Sequence, residues 1–210
     1  MSPKSHSAFQ PFLQTGCAVI GGGLAGCTAA LELADGGQRV DLFVKGRIER
    51  DSNSLLVAGG LAAVPEPARG RDSFQWHVKD TLAAGSGLND PRVVRSCIEH
   101  FFPDVIAWLE AKGVHFDRDG RRYDLNREGG HSTNRIFHVG DWTGASIMEK
   151  LGARVLRHPR IRVHEEHVAI DLIARHKLRG KRPNRARNNR DVDQCHGVYI
   201  YDCAKDRVVT

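Results

Sequence analysis

Apolar and glycine-rich segments alternate near the start of the chain in the order expected for a strand, a helix and a second strand. The apolar run Cys17–Ile20 stops at glycines, as a buried parallel strand does at its carboxyl end. Residues 24–34 are small or apolar with almost no charge, and the glycines that follow Asp35 predict the end of a helix. Polar and apolar residues then alternate at the start of residues 39–44, which predicts a second strand. The pattern therefore predicts a β-α-β unit.

The rest of the chain predicts helices separated by loops, with short strands toward the end. Residues 46–87 are rich in Gly, Ser and Ala and predict loops around one helix at residues 74–84. Further helices are predicted at residues 91–102, at residues 104–112, and from Thr143 to just before His158. Strands are predicted at residues 161–163 and 168–173, and hairpins within residues 116–123 and between residues 198–201 and 207–210.

Composition places the chain among ordinary globular proteins. Of its 210 residues, 40% are hydrophobic and 27% are charged, which is enough apolar material for one domain with a sizeable core. No apolar run approaches the roughly 18 residues of a membrane span, and residues 1–12 lack the blocks of a signal peptide. We therefore expect no membrane span and a cytoplasmic location.

The net charge of +6 raises the question of nucleic-acid binding. Much of the excess lies in residues 175–190, where Arg and Lys accompany Asn, Gly and Pro without interleaved aromatic residues. A solvated loop is favoured over a nucleic-acid surface, and we expect no nucleic-acid partner. The five cysteines form no C-x-x-C pair, which predicts reduced, mostly packed thiols rather than disulfides or a metal site.

The turn between the first strand and the first helix fits the G-x-G-x-x-G fingerprint of dinucleotide-binding folds. Gly21 would allow the tight turn, Gly23 would let the backbone approach a pyrophosphate, and Gly26 would let helix and strand pack closely. The alternative is a glycine-rich turn without a ligand. The fingerprint consists of Gly21, Gly22, Gly23, Leu24, Ala25 and Gly26.

The second strand departs from that fingerprint at its end. Dinucleotide-binding folds place an Asp or Glu there to bind a ribose, whereas this chain has Val44 followed by Lys45. Asp41 lies inside the strand, and we interpret it as a surface residue. Capture of a ribose by a carboxylate is therefore not predicted.

Four further motifs occur in a fixed order along the chain. They are S-N-S-L-L-V-A-G-G-L-A-A at residues 52–63, D-T-L-A-A-G-S-G-L-N-D at 80–90, R-E-G-G-H-S at 127–132 and D-W-T-G at 141–144. With the fingerprint they resemble the L-aspartate oxidases, a branch of the succinate dehydrogenase and fumarate reductase flavoprotein superfamily. The resemblance implies an α/β fold, a Rossmann-like FAD-binding domain with a parallel sheet over residues 16–210, after a flexible segment at residues 1–15.

The resemblance also implies which residues bind FAD. Gly22, Gly23, Leu24 and Ala25 would contact the pyrophosphate region, and Lys45 would replace the ribose acid. Val168 and Ala169 would supply backbone contacts to adenine, although ordinary strand core would give the same sequence. The segment that would wrap FAD consists of Asn53, Ser54, Leu55, Leu56, Val57, Ala58, Gly59 and Gly60.

Two positions in that segment differ from related proteins. Ala58 stands where the family has Gln, which removes a side chain able to hydrogen-bond near the flavin. Asn53 stands where related dehydrogenases carry a flavin-linking His. FAD is therefore expected to be noncovalent.

The resemblance implies oxidation of L-aspartate to iminoaspartate, the first step of de novo NAD biosynthesis, with oxygen or fumarate as electron acceptor. Glu128 would orient the substrate, because a carboxylate between flexible residues can meet an ammonium; the alternative is a solvated loop residue. His131 and His138 are further candidates for acid–base roles.

Two alternatives stay open at this point. One is a fumarate reductase or succinate dehydrogenase-like flavoprotein acting on a C4-dicarboxylate. The other is a noncatalytic remnant that binds nucleotide without turnover. The family's next segment, a strand with an A-T-G-G turn and a capping domain, does not follow Thr210. We therefore expect an FAD-binding domain that is incomplete at its carboxyl end.

Overall fold

The computed structural model describes residues 9–10, 13–65, 72–101, 104–178 and 194–210. The chain divides into two compact units. The first unit combines Met1–Ser52 with Arg154–Thr210, and the second is Asn53–Ala153.

Helices and short strands alternate through the described residues. The strands are β1 (Phe9–Gln10), β2 (Cys17–Ile20), β3 (Val40–Phe43), β4 (Leu61–Ala62), β5 (Arg118–Asp119), β6 (Arg122–Tyr123), β7 (Leu125–Asn126), β8 (Ile136–Phe137), β9 (Ile161–His164), β10 (His167–Ala174), β11 (Cys195–Asp202) and β12 (Arg207–Val209). The helices are α1 (Leu24–Asp35), α2 (Phe74–Ala84), α3 (Pro91–Phe101), α4 (Asp104–Ala111), α5 (Thr143–Arg157) and α6 (Arg175–Leu178), with a 3-10 helix at Asn53–Leu56.

The first unit contains the parallel sheet that the sequence predicts. Its strand order is β2-β3-β9, and both pairings are parallel. The four residues of β3 are all buried, as expected for the central strand of a sheet that is covered on both faces. The β-α-β prediction for residues 17–44 is confirmed.

Helix α1 buries one stripe of small and apolar side chains. Its buried residues recur at spacings of three and four, which places them on one face of the helix. They are Cys27, Ala30, Leu31 and Ala34.

A second sheet in the first unit has the order β1-β12-β11-β10. Strands β10 and β11 are antiparallel, with irregular register after Ala169 and after Ile173. Strand β12 pairs antiparallel with β11, as the predicted hairpin requires.

The second unit packs helices around short antiparallel pairs. Strands β4, β8 and β7 form one small sheet, and β5 pairs with β6 across a turn in which Gly120 has φ +59°. Phe137 is fully buried and contacts the rings of Phe116 and Tyr123 edge-on. At the start of α2, the Trp76 amide donates to the Ser73 hydroxyl at 3.2 Å, which caps the helix.

Several sequence expectations need correction or lie outside the described residues. Arg175–Leu178 forms the short helix α6 rather than a loop, and residues 179–190 of the basic run lie outside the described ranges. The cysteines are free thiols, but the prediction that they mostly pack is wrong, since three of them are exposed. These three are Cys97, Cys195 and Cys203.

The described residues contain neither a membrane-spanning helix nor a cluster of metal-binding side chains. No helix there combines the length and apolar character needed to cross a membrane. No group of three or more His, Cys, Asp or Glu side chains in the described ranges is arranged to hold a metal ion.

Candidate functional site

The glycine fingerprint forms the tight turn that its sequence predicts. Gly21 has φ +104°, a conformation that side-chain-bearing residues rarely adopt, and its amide donates to the Phe43 carbonyl at 2.9 Å. A β-carbon on Gly26 would lie 1.8 Å from the Gly21 carbonyl oxygen. The turn and the close approach of helix and strand therefore both require glycine.

The amino terminus of α1 is suited to hold a phosphate. The residue at its N-cap is Gly23, the first turn contains no acidic residue, and no described side chain caps it. The first bond within the helix runs from the Cys27 amide to the Gly23 carbonyl at 2.9 Å. A helix terminus of this kind presents N–H groups and partial positive charge to an anion. These residues fit the pyrophosphate of a dinucleotide.

The residues predicted to lie near the ribose and adenine come together within the first unit. Lys45 is exposed and directly follows β3. The His167 amide donates to the Val44 carbonyl at 2.9 Å, so the start of β10 lies beside the end of β3. Val168 is 38% exposed. Ala169 is half-buried beside it.

Asp41 is buried, so its interpretation as a surface residue is wrong. Its Oδ1 atom lies 2.6 Å from Arg162 Nε and 2.6 Å from His164 Nε2, and both partners belong to β9. Burial by itself raises the pKa of this carboxyl, but hydrogen bonds from Arg162, His164 and Thr15 outweigh it and lower the pKa to about 2. Asp41 therefore links β3 to β9 as a charged residue.

In the second unit, residues 53–60 form a segment in which most residues are exposed. Leu56 is 81% exposed and Val57 is 47% exposed, although both are apolar. A β-carbon on Gly60 would lie 2.1 Å from the Phe137 carbonyl oxygen, which explains the glycine at that position. Gly144 donates from its amide to the Val57 carbonyl at 2.9 Å. The D-W-T-G motif therefore supports this segment.

Glu128 lies against the same segment. Its Oε1 atom would be 2.8 Å from a β-carbon on Gly59. The structure thus brings the predicted substrate-orienting carboxylate together with the predicted flavin-wrapping segment inside one unit. The side chain of Glu128 is exposed, as a residue that meets a ligand must be.

A buried ion-pair cluster, which the sequence did not reveal, lies beneath the loop that carries Glu128. The Arg135 side chain is fully buried and bonds the carboxylates of Asp72 and Asp80. Ser132, the last residue of the R-E-G-G-H-S motif, donates to Asp80 from both its amide and its hydroxyl. The sequence did not reveal this cluster because Asp80 and Asp72 lie 55 and 63 positions from Arg135.

The two candidate histidines have different surroundings. The ring of His131 lies edge-on to that of His77, with the ring centroids 6.1 Å apart. His138 is buried, and its Nδ1 atom lies 3.1 Å from Asp117 Oδ2 without the alignment of a hydrogen bond. Neither ring nitrogen of His138 has a hydrogen-bond partner among the described residues. His77 was not a sequence candidate, because nothing in its local pattern marks it as buried.

Comparison with known proteins agrees with this arrangement. The FAD binding domain family matches residues 17–210. The chain belongs to this family. Its fold is therefore that of an FAD-binding α/β domain of the superfamily that includes the succinate dehydrogenase and fumarate reductase flavoproteins, and its cofactor is FAD.

The curated relatives are similar over most of this chain. The chain is 40% identical over 196 residues to L-aspartate oxidase 1 of Ralstonia nicotianae, a match that covers 92% of this chain and 34% of that protein. It is 43% identical over 162 residues to L-aspartate oxidase of Neisseria meningitidis serogroup B, covering 76% of this chain and 31% of that protein. The chain thus spans about a third of the length of these relatives.

A solved structure shares the fold. The E. coli quinol fumarate reductase FrdA superposes with a TM-score of 0.78 at 26% identity, over 95% of this chain and 31% of that one. The sequence prediction of an α/β FAD-binding fold is therefore confirmed, and so is the resemblance to the L-aspartate oxidases.

Proposed function

We propose that this chain is the FAD-binding part of an enzyme that oxidises L-aspartate to iminoaspartate, the first step of de novo NAD biosynthesis. The names and the roughly 40% identity of the curated relatives support the proposal. The observation that carries it is the contact between the Glu128 carboxylate and Gly59, within the segment assigned to FAD.

The residues of this chain have separate tasks in that proposal. The chemistry that FAD would supply when bound is acceptance of a hydride from the substrate Cα. Glu128 binds the substrate ammonium through opposite charge and fixes the direction in which the Cα–H bond points. His131 is the candidate to receive the proton that the amine loses as the carbon–nitrogen double bond forms. His138 is not, because both of its ring nitrogens are buried. Oxygen or fumarate would serve as the final electron acceptor.

The assignment of the cofactor contacts belongs to the same proposal. The turn from Gly21 to Gly26 binds the pyrophosphate, Lys45 replaces the ribose acid, and Val168 and Ala169 contact adenine through their backbone. Residues 53–60 contact the flavin, which is held noncovalently because position 53 is Asn rather than His. Residues 16–210 together make up the FAD-binding domain.

A second candidate is oxidation or reduction of a C4-dicarboxylate that lacks an amino group. The superposition on a quinol fumarate reductase favours it. The R-E-G-G-H-S loop favours aspartate instead, because a carboxylate at position 128 complements an ammonium and would repel a plain dicarboxylate.

An absorption experiment separates these candidates. The purified chain is incubated with FAD, passed through gel filtration, and mixed with L-aspartate or succinate without oxygen. We expect retained flavin whose visible band bleaches with aspartate and not with succinate. Bleaching with succinate alone would favour the second candidate. Retained flavin that responds to neither compound would favour the alternative in which this chain binds nucleotide without turnover.

The matched variant for this experiment is Glu128→Gln. It keeps the shape of the side chain and removes its charge, so flavin retention should be unchanged. The aspartate concentration that gives half the bleaching should rise at least about tenfold, as expected when one charge-assisted bond is lost. An unchanged concentration would remove Glu128 from the substrate site.

A further inference from the structure

We propose that Asp80 is a positioning residue for Glu128, a role that rests on the substrate-binding role proposed above for Glu128. Asp80 belongs to α2, whereas Glu128 belongs to the loop at residues 127–132. We name this loop the substrate loop. The connection between the two carboxylates runs through Ser132, at the far end of the substrate loop.

One oxygen of Asp80 holds the end of the substrate loop. Oδ2 accepts hydrogen bonds from the Ser132 amide at 2.8 Å and from the Ser132 hydroxyl at 2.7 Å. Two bonds to one residue fix both the backbone and the side chain of Ser132. Within the loop, the His131 amide donates to the Glu128 carbonyl at 3.2 Å. The turn therefore transmits the position of Ser132 to Glu128.

Asp80 is itself held by a buried cation. Arg135 donates from Nη1 to the same Oδ2 atom at 2.8 Å, and from Nε and Nη2 to the two oxygens of Asp72 at 2.9 and 2.8 Å. Burial raises the pKa of Asp80, but the bonds from Ser132 and Arg135 outweigh it and lower the pKa. Asp80 is therefore a carboxylate near neutral pH, and its bonds to Ser132 are charge-assisted.

The other groups near the cluster hold the loop less closely than Asp80 does. Arg135 donates from Nη2 to the Ser132 hydroxyl at 3.4 Å, which is longer than either bond between Ser132 and Asp80. His77 is buried, and burial together with the charge of Arg135 lowers its pKa to about 4, so it carries no charge near neutral pH. Its ring contacts His131 edge-on and supplies packing rather than a hydrogen bond to the loop. At the opposite end, Glu128 lies against Gly59. Asp80 is thus the charged contact of the loop with α2.

Asp72 provides a matched control for Asp80. Both carboxylates pair with Arg135, and both side chains are largely buried, at 9% and 13% exposure. Asp80 alone of the two bonds Ser132. A purely structural role of the cluster predicts the same result for Asp72→Ala and Asp80→Ala, whereas a positioning role separates them.

Hydrogen–deuterium exchange of the whole chain tests the proposal. We expect Asp80→Ala to speed exchange of the amides in residues 127–132 at least about tenfold, and Asp72→Ala to change it less than about twofold. Asp80→Asn keeps an acceptor oxygen for Ser132 and should give an intermediate result even if Asp80→Ala fails to fold. Equal exchange of the loop in the Asp72→Ala and Asp80 variants would overturn the proposal.

A second measurement connects the loop to the substrate. In the flavin-loaded chain, Asp80→Ala should raise the aspartate concentration for half bleaching about tenfold, while Asp72→Ala should leave it within about twofold. Equal increases in both variants would also overturn the proposal. If aspartate has no effect on the unmodified chain, the proposed function fails, and the exchange comparison still decides whether Asp80 fixes the loop.

Discussion

A β-carbon on Gly144 would lie only 2.0 Å from the carbonyl oxygen of Ser54. The first turn of α5 therefore touches the backbone of the segment assigned to the flavin, and the Gly144 amide donates to Val57 at 2.9 Å. This contact gives a physical reason for the glycine of the D-W-T-G motif. Gly144 is an ordinary helical residue, so its backbone conformation does not require glycine. Glycine is needed at position 144 because there is no space for a side chain.

Gly144→Ala should weaken FAD binding at least about tenfold. Alanine is favoured over glycine inside a helix by roughly 1 kcal/mol, so a loss can come only from displacement of residues 53–57. The measurement is titration of the chain with FAD, followed by flavin fluorescence. The control is Ser146→Ala, two residues further along the same helix, which should bind FAD as the unmodified chain does. Unweakened binding by Gly144→Ala would contradict the proposed role of the segment.

Gly26→Ala should abolish retention of FAD through gel filtration. The new β-carbon would meet the Gly21 carbonyl at 1.8 Å, so the turn must open or α1 must shift, at a cost of about 1–3 kcal/mol or more. Gly197→Ala is the matched control, because a β-carbon there would meet only the Ile173 side chain, at an ordinary contact distance of 3.4 Å. Flavin retained equally by both variants would show that the turn does not hold the cofactor.

The buried imidazole of His77 should make the protein less stable as the pH falls from about 6.5 to about 4. Burial and Arg135 lower its pKa from 6.5 to about 4, so in this window the unfolded chain binds a proton that the folded chain does not. The free energy of unfolding should therefore fall by up to about 1.4 kcal/mol per pH unit. Urea unfolding measures it.

The control for this pH dependence is a pair of histidine variants. His77→Phe should flatten the decline, because the variant has no group to protonate at that position. His115→Gln removes an exposed imidazole and should leave the decline in place. A decline that survives His77→Phe unchanged would assign it to other groups.

Asp41 should affect the stability of the protein at lower pH than His77 does. Its pKa falls from 3.8 in the unfolded chain to about 2 in the folded one, so its stabilising effect is complete above about pH 4 and is lost as the pH falls toward 2. Asp41→Asn should lower stability at neutral pH and reduce the further loss between pH 4 and 2. Asp119→Asn, at an exposed position, should change neither. The free energy of unfolding of each variant, measured by circular dichroism at neutral pH and between pH 4 and 2, tests this prediction.

Local pattern was sufficient for much of the fold. The bounds of β2 and α2 were predicted as the structure has them, and α1, α5 and β3 within a residue or two. Each of these elements is marked by its own residues: an apolar run that ends at glycines, or a helical run that ends at Gly36 or Gly85. Such signals are short-range, because backbone conformation depends first on neighbouring residues.

Strands β4, β7 and β8 were not predicted from the sequence. Each of them has two residues, which is too few to show a period of two. Their pairing, Leu61 with Phe137 for example, joins positions far apart in the chain. The sequence contains both strands of each pair, but local pattern does not show which strands pair with each other.

By itself, the sequence determined the glycine turn, the helix that begins at it, and the family to which the chain belongs, since each depends on residue types at fixed local spacing. Only the tertiary structure decided that Asp41 is buried, that Glu128 meets Gly59, and that Arg135 joins two carboxylates under the substrate loop. Burial and charge pairing are set by residues that approach through space, so a carboxylate in a strand has the same sequence pattern whether it faces water or is buried against basic side chains of a neighbouring strand.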